Sequence, residues 1–286
     1  MKKKVSFTWN ILFGCNYRCT YCWFHNEWHR LAKYNRFFSV KELVKFWEGI
    51  YRNYGAIPID VLGGEPFLYP KFTELIKEIS NFHTLSIVTN LSTDIKKFVE
   101  EIDSSKVNIS PTFHPLFAKI DNFLAKMQVL KQNGFSSPVS YLAYPAQLGL
   151  LEFYRKKIEQ NGFSFVTHSF WGEYKGVSYP QGYSEEEREF IYPYLITRAN
   201  EKLQLAPKKI DKTQLCRAGE IYAIVRPDGQ ICRCGRTLFN ETLGNITEDN
   251  FQLLDFPQPC NSESGYCPCN EWAFLLVKEN DRKDEC

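Results

Sequence analysis

Six short apolar runs, each followed by a stretch with helical periodicity, constrain the fold of this chain more than any other feature. They are VSFTWNILF (5–13), IDVLGGEP (59–66), LSIVTN (85–90), KVNIS (106–110), PVSYLAY (138–144) and FSFVTHSF (163–170). Their β-branched and aromatic content predicts strands. Between them lie VKELVKFWEGIYRNY (40–54), opened by Ser39 with Glu42 three residues on as a capping box, and helical stretches near 71–80, 95–102, 118–133 and 148–160. Strands alternating with helices of this length predict an α/β protein, a parallel sheet covered by helices. A partial (β/α)6 TIM-like barrel over residues 1–200 is the leading architecture, with a doubly wound open sheet as its rival. In both, chemistry sits at the carboxyl ends of the strands.

Beyond residue 170 the texture changes. WGEYKGVSYPQGY (171–183) reads as loop, and Ser184 with Glu187 opens a further helix toward Asn200. IYAIVRPDGQICRC, from Ile221, predicts a β-hairpin turning at Pro227-Asp228-Gly229. Residues 213–286 are expected to form a small cysteine-rich extension of hairpin and helix. Cys15, Cys19 and Cys22 follow the first strand at once, whereas Cys216, Cys232, Cys234, Cys260, Cys267, Cys269 and Cys286 all lie in the tail. Ten cysteines in 286 residues are too few for a disulfide scaffold. Short-spaced clusters of this kind point to metal or cluster ligation in a reducing compartment.

Charge narrows the partners. Lys and Arg number 35 against 33 Asp and Glu, a net charge of +2 that supplies no global field for a nucleic acid. No run reaches the apolar length of a membrane span, and Met1-Lys2-Lys3-Lys4 leads into an alternating segment instead of a signal core. A cytoplasmic protein without membrane association is expected. There is no phosphate-cradling G-x4-G-K-S/T loop and no H-E-x-x-H.

Cys15-x3-Cys19-x2-Cys22 puts three thiols on one tight loop. A cubane [4Fe–4S] cluster and a structural zinc each take four ligands, so three leave one position for an exogenous group. A zinc knuckle completed by His25 or His29 is the bland alternative. CNYRCTYC (15–22), with Tyr21 just before the third cysteine, and GGEP (63–66) at the end of the next predicted strand resemble the radical S-adenosylmethionine enzymes, over roughly residues 5–170.

The resemblance implies a [4Fe–4S] cluster on Cys15, Cys19 and Cys22, with S-adenosylmethionine chelating the fourth iron through its amino and carboxylate groups. One electron then splits the sulfonium bond, and the 5′-deoxyadenosyl radical takes hydrogen from the substrate. It further implies that Gly63 and Gly64 let backbone approach the cofactor and that Glu65 accepts from its ammonium. Asn90 would lie near the ribose, Ser110 near the ribose or the carboxylate, Tyr141, Leu142 and Ala143 along the adenine, and Thr112 and His114 toward the cleft. A flavodoxin or ferredoxin would donate electrons.

In the tail, Cys216-x12-Gly229-x4-Cys234 resembles the opening of the SPASM and twitch extensions of that family, which carry auxiliary clusters. Cys260-x6-Cys267-x-Cys269 departs from the full SPASM pattern and suits one cluster. The expected ligands are Cys216 and Cys234 with two of Cys260, Cys267 and Cys269, and Cys232 competes with Cys234. Tetrahedral zinc on four thiolates is the alternative. His168 and Glu173 are expected at the barrel mouth as acid/base candidates, or else as a hydrogen-bonded histidine and a solvated loop. The expected reaction is oxidation of an alcohol on a sugar- or cyclitol-like molecule, with the auxiliary cluster accepting an electron. Modification of a ribosomal peptide and a non-catalytic zinc scaffold are the alternatives. With 14 residues ahead of Cys15, no leader-peptide-binding domain is expected, which favours a small-molecule substrate over a peptide.

Overall fold

The computed structural model describes residues 3–24, 27–195, 213–235, 239, 241–248, 251–260 and 275–277. Strands β1 (Ser6–Leu12), β2 (Pro58–Gly63), β3 (Thr84–Thr89) and β4 (Val107–Pro111) run parallel and adjacent in chain order. β5 (Val139–Ala143) and β6 (Phe165–Ser169) form a second parallel pair, joined to the first group by a bridge between Thr112 and Ser140. The connections carry α1 (Trp28–Leu31), α2 (Val40–Tyr54), α3 (Phe72–Ile79), α4 (Lys96–Glu101), α5 (Ile120–Gln132) and α6 (Leu151–Gln160). This is the α/β partial barrel expected from the alternating pattern. Both arms of the Ser39–Glu42 capping box are formed at the start of α2.

Alternation along each strand decides which residues reach the interior of the barrel. On β1, Phe7, Trp9 and Ile11 are buried. Trp47 of α2, with no exposed surface, packs 5.8 Å from the Phe7 ring and 5.4 Å from Trp9. On β3 and β4, Leu85, Ile87, Val107 and Ile109 are likewise buried, while Ser86, Val88, Asn108 and Ser110 stay open or half-open. The helix-facing side is apolar and tightly filled. The concave side carries small and polar residues, and this leaves room inside the barrel.

The tail joins the barrel sheet directly. β10 (Tyr222–Val225) pairs parallel with β1, and the Tyr222 hydroxyl donates to Thr8 Oγ1 at 2.8 Å. β11 (Gln230–Cys232) returns antiparallel after Gly229, whose φ of 82° only glycine adopts cheaply, and β12 (Gly244–Asn245) follows. The seven-stranded order is β12-β11-β10-β1-β2-β3-β4. β9 (Leu215–Cys216) pairs separately with β13 (Gln258–Pro259).

Three details depart from expectation. α1 is a single turn within the segment after the cysteine loop, too short for a periodic signal. Within 171–183, read as loop, β7 (Gly172–Tyr174) and β8 (Val177–Tyr179) form a small hairpin. Its turn residues Lys175 and Gly176 both have positive φ (50° and 78°), the backbone of a tight hairpin turn. α7 (Glu185–Ile191) stops well short of Asn200, because Pro193 has no N–H to continue the helix. Among the described residues no helix is long and apolar enough to cross a membrane.

Candidate active site

The loop from Phe13 to Phe24 leaves the carboxyl end of β1 and places Cys15, Cys19 and Cys22 on the wall of one cavity of about 370 Å³ at the mouth of the barrel. All three are free thiols. Cys15 Sγ accepts from the Tyr17 amide (3.3 Å) and from Asn90 Nδ2 (3.6 Å), and Cys22 Sγ accepts from the Phe24 amide (3.5 Å). Burial pushes all three thiols above their usual range, Cys19 to about 12, so metal binding must displace protons from them. Among the described residues no three His, Cys, Asp or Glu side chains are gathered to grip a single metal ion. Three thiols spread round a cavity wall, each of two receiving an N–H, are a donor set suited to an iron–sulfur cluster. His25 lies outside the described residues.

Behind the loop, Tyr21 stacks on His114 at 16° between ring planes, and its hydroxyl lies 3.0 Å from His114 Nδ1. Desolvation pushes His114 down to about 4, which keeps the imidazole neutral at the cavity wall. Both side chains line the cavity, as do Gly63, Gly64, Asn90, Thr112, Leu142 and His168.

The two glycines have a local reason. Gly64 donates its amide to Leu12 O (2.7 Å) and Glu65 donates to Gly14 O (2.9 Å), so the end of β2 lies against the start of the cysteine loop. A Cβ on Gly64 would fall inside the Gly14 carbonyl and 2.8 Å from the Gly14 nitrogen. Gly63, at φ 134°, would put a Cβ into the Leu12 backbone.

Other expected residues stand elsewhere. Glu65 is fully buried and does not line the cavity. Its carboxylate accepts from Thr89 Oγ1 (2.8 Å), the Asn90 amide (2.8 Å) and the Phe67 amide (3.2 Å), so it ties β2 to the end of β3. Tyr141 and Ala143 are fully buried among the strand–helix contacts. Tyr141 packs against Tyr154 of α6, and its hydroxyl donates to Gln147 O. Strand alternation sends only Leu142, between them, into the cavity. Ser110 points to Ser86 and Asn108 deeper in the barrel, and Thr112, one pleat on, reaches the mouth. Glu173 is exposed on β7, away from the cavity lining. His168 Nε2 lies 3.2 Å from Ser140 Oγ across β5 and β6.

Sequence reasoning missed the aromatic rim. Tyr17, Trp23, Trp28 and Trp171 line the cavity with Val88, Thr89 and Ser169. The aromatic density of the cysteine loop and the Phe170-Trp171 pair after β6 were the available signals. None of the described lining residues is Asp, Glu, Lys or Arg.

The described tail cysteines lie on segments that meet at Arg233. Its buried guanidinium donates to Ala218 O (2.7 Å), Cys216 O (3.4 Å), Gln258 O (2.6 Å) and Pro259 O (2.9 Å). It thereby fastens the segments bearing Cys216, Cys232, Cys234 and Cys260. Cys216 and Cys232 are buried in one apolar cluster with Phe13 and Leu31, against the root of the front loop. Cys267, Cys269 and Cys286 lie outside the described residues.

Residues 9–115 match the Radical SAM superfamily. Over 102 residues the chain is 31% identical to 7-carboxy-7-deazaguanine synthase of Methanothermobacter thermautotrophicus, covering 35% of this chain and 40% of that protein. In fold it is similar to Streptococcus suis SuiB (TM-score 0.62, 16% identity, 87% of this chain and 64% of that one). It is also similar to anSMEcpe with bound AdoMet and a Cp18Cys peptide (TM-score 0.62, 16% identity, 98% and 85%). The chain thus spans less than two thirds of the synthase and of SuiB. The three-cysteine loop and the GGEP turn both lie within residues 9–115, the part of the chain that matches the Radical SAM superfamily.

Proposed function

We propose that this chain reductively cleaves S-adenosylmethionine at a [4Fe–4S] cluster held by Cys15, Cys19 and Cys22, and oxidises a neutral group on a substrate seated in the barrel. The observation that carries the reading is the convergence of those three thiols with Gly63, Gly64 and Asn90 on one cavity at the strand ends. When bound, the cluster and S-adenosylmethionine supply the electron and the carbon radical that removes hydrogen.

The protein's part is orientation and exclusion of water. The glycine pair keeps β2 close under the loop, and Asn90 holds Cys15 and Asn16 together. The indoles of Trp23, Trp28 and Trp171 line the cavity, while Val88 and Leu142 give it an apolar wall. His168 is the group placed to take a proton from an oxidised substrate, its Nε2 held beside Ser140 Oγ.

Two considerations bear on the substrate. The described lining carries no charged side chain for a carboxylate or phosphate. The solved structures similar in fold include SuiB bound to its precursor peptide SuiA and anSMEcpe with a peptide. We infer a side-chain group of a peptide or protein as the substrate, in preference to a sugar or cyclitol alcohol. In a twitch-like unit over 213–286, Cys216 and either Cys232 or Cys234 would be among the residues that hold an auxiliary cluster, which would supply an electron acceptor there. The packing of Cys216 and Cys232 against Phe13, two residues before Cys15, supports that electron path. A flavodoxin or ferredoxin is the proposed donor of the first electron.

The test is metal content. Anaerobically reconstituted protein should be brown and hold about eight irons, two cubanes of four. The variant lacking all three front cysteines should hold about half. A colourless protein carrying zinc at both ends would overturn the proposal, and four irons with one zinc would confine the chemistry to the front site.

A further inference from the structure

Lys126 of α5 donates three hydrogen bonds from its ammonium to consecutive carbonyl oxygens in the turn after β3: Leu91 (2.6 Å), Ser92 (2.9 Å) and Thr93 (2.8 Å). An ammonium has three protons, so this tripod uses its whole donor capacity. The turn needs holding. Leu91 sits at φ 51°, in the left-handed region that side-chain-bearing residues enter at a cost, and its side chain is buried. Three converging carbonyl dipoles also repel one another unless a cation lies between them. The Asp94 and Glu65 carboxylates favour the charged form of Lys126 against its burial.

The turn presents two groups to the cysteine loop. Ser92 Oγ accepts from Asn16 Nδ2 at 2.8 Å. The Ser92 amide donates to Asn90 Oδ1 at 2.8 Å. That bond orients the Asn90 amide group, whose Nδ2 reaches Cys15 Sγ (3.6 Å) and Asn16 Oδ1 (3.2 Å). We propose that Lys126 is a positioning residue for the Cys15 loop, acting through the Leu91–Thr93 turn and its contacts to Asn16 and Cys15. The inference rests on Cys15 being a cluster ligand. N–H bonds to a ligating sulfur tune its cluster, so loss of the ammonium is felt at the iron although Lys126 touches neither thiol nor cofactor. A lysine suits the place because its donors are tetrahedral around one point, whereas a guanidinium offers a flat fork.

The experiment compares wild type, Lys126→Met, Ser92→Ala and the double variant as full chains. In metal-free protein, amide hydrogen exchange in residues 15–18 and 90–93 should be at least about tenfold faster in Lys126→Met, with α2 unchanged. Ser92→Ala should loosen residues 15–18 in the same way. The double variant should add little to Lys126→Met, since both changes break one relay. In reconstituted protein, both single variants should shift the reduction potential of the front cluster and weaken S-adenosylmethionine binding severalfold.

Exchange in residues 15–18 within about twofold of wild type in folded Lys126→Met, or additive effects in the double variant, would overturn the proposal. If Lys126→Met does not fold, Ser92→Ala decides alone, and unchanged exchange in residues 15–18 sinks the relay. Wild-type protein that takes up no iron on Cys15 would refute the cluster reading instead, and the exchange data would still judge the brace.

Discussion

Replacing Gly64 by Ala tests whether the GGEP turn is glycine-rich because two backbones meet there. The new Cβ would fall inside the Gly14 carbonyl and 2.8 Å from the Gly14 nitrogen, and backbone atoms cannot rotate away. Relief requires the end of β2 to move off residues 12–14. That breaks the bonds from Gly64 N to Leu12 O (2.7 Å) and from Glu65 N to Gly14 O (2.9 Å). Two hydrogen bonds at about 1 kcal/mol each, with packing strain of about 1–3 kcal/mol, give a loss of about 3–5 kcal/mol. Such a loss is a large share of the 5–15 kcal/mol that is roughly typical of a domain. Gly14 immediately precedes Cys15, so the displacement should also lower iron uptake. Gly49→Ala is the control. It lies on α2 with nothing within 4 Å of its added Cβ, and should stabilise by about 0.5–1 kcal/mol. Urea unfolding of the metal-free proteins, followed by circular dichroism, with iron assayed after anaerobic reconstitution, reads both effects. A Gly64→Ala protein within about 1 kcal/mol of wild type and fully loaded with iron would refute the close-approach argument.

Glu65→Gln should flatten the pH dependence of stability. Burial holds the Glu65 carboxyl above its usual range against three hydrogen bonds, so the native state keeps a proton the unfolded chain has released. That contribution is full below the unfolded pKa and is lost as pH rises through the native value. Unfolding midpoints of the metal-free proteins across that interval should fall with pH in wild type and stay level in the variant. Parallel slopes would exclude Glu65 as the cause. The glutamine amide also meets only donors, at a cost of about 1–3 kcal/mol. Cys216→Ala with Cys234→Ala should leave 5′-deoxyadenosine formation intact while oxidised product disappears, as liquid chromatography would show. Normal product from the folded double variant would remove the tail from turnover. His168→Asn should cut product formation about 100-fold, the usual scale of a general base, without changing iron content.

The barrel was legible because its signals are local. Each strand is a β-branched run, and the boxes at Ser39 and Ser184 are written in consecutive residues. The positions of Cys15, Cys19 and Cys22 at a strand end followed from the same pattern. Orientation across strands was less legible. Tyr141, Leu142 and Ala143 occupy one strand, and only the pleat, fixed by Tyr141 packing on Tyr154 and Phe165, shows which of them enters the cavity. The acidic residue of GGEP reads as a ligand group in sequence. That its carboxylate also ties β2 to the end of β3 was not legible, because Thr89 and Asn90, which close around it, lie far along the chain. The Lys126 tripod had no sequence signal, because three backbone carbonyls carry no residue identity. The pairing of β10 with β1 was hidden for a related reason, since a strand more than two hundred residues from its partner leaves no local trace.

The most direct test of the central claim is single-turnover cleavage of S-adenosylmethionine by anaerobically reconstituted, dithionite-reduced protein, with wild type beside Cys19→Ala. Wild type should release 5′-deoxyadenosine, and Cys19→Ala, left with two thiols on the cavity wall, should release none while keeping the circular dichroism of the folded barrel. Equal release of 5′-deoxyadenosine by the two proteins, or none by an iron-loaded wild type, would contradict the account.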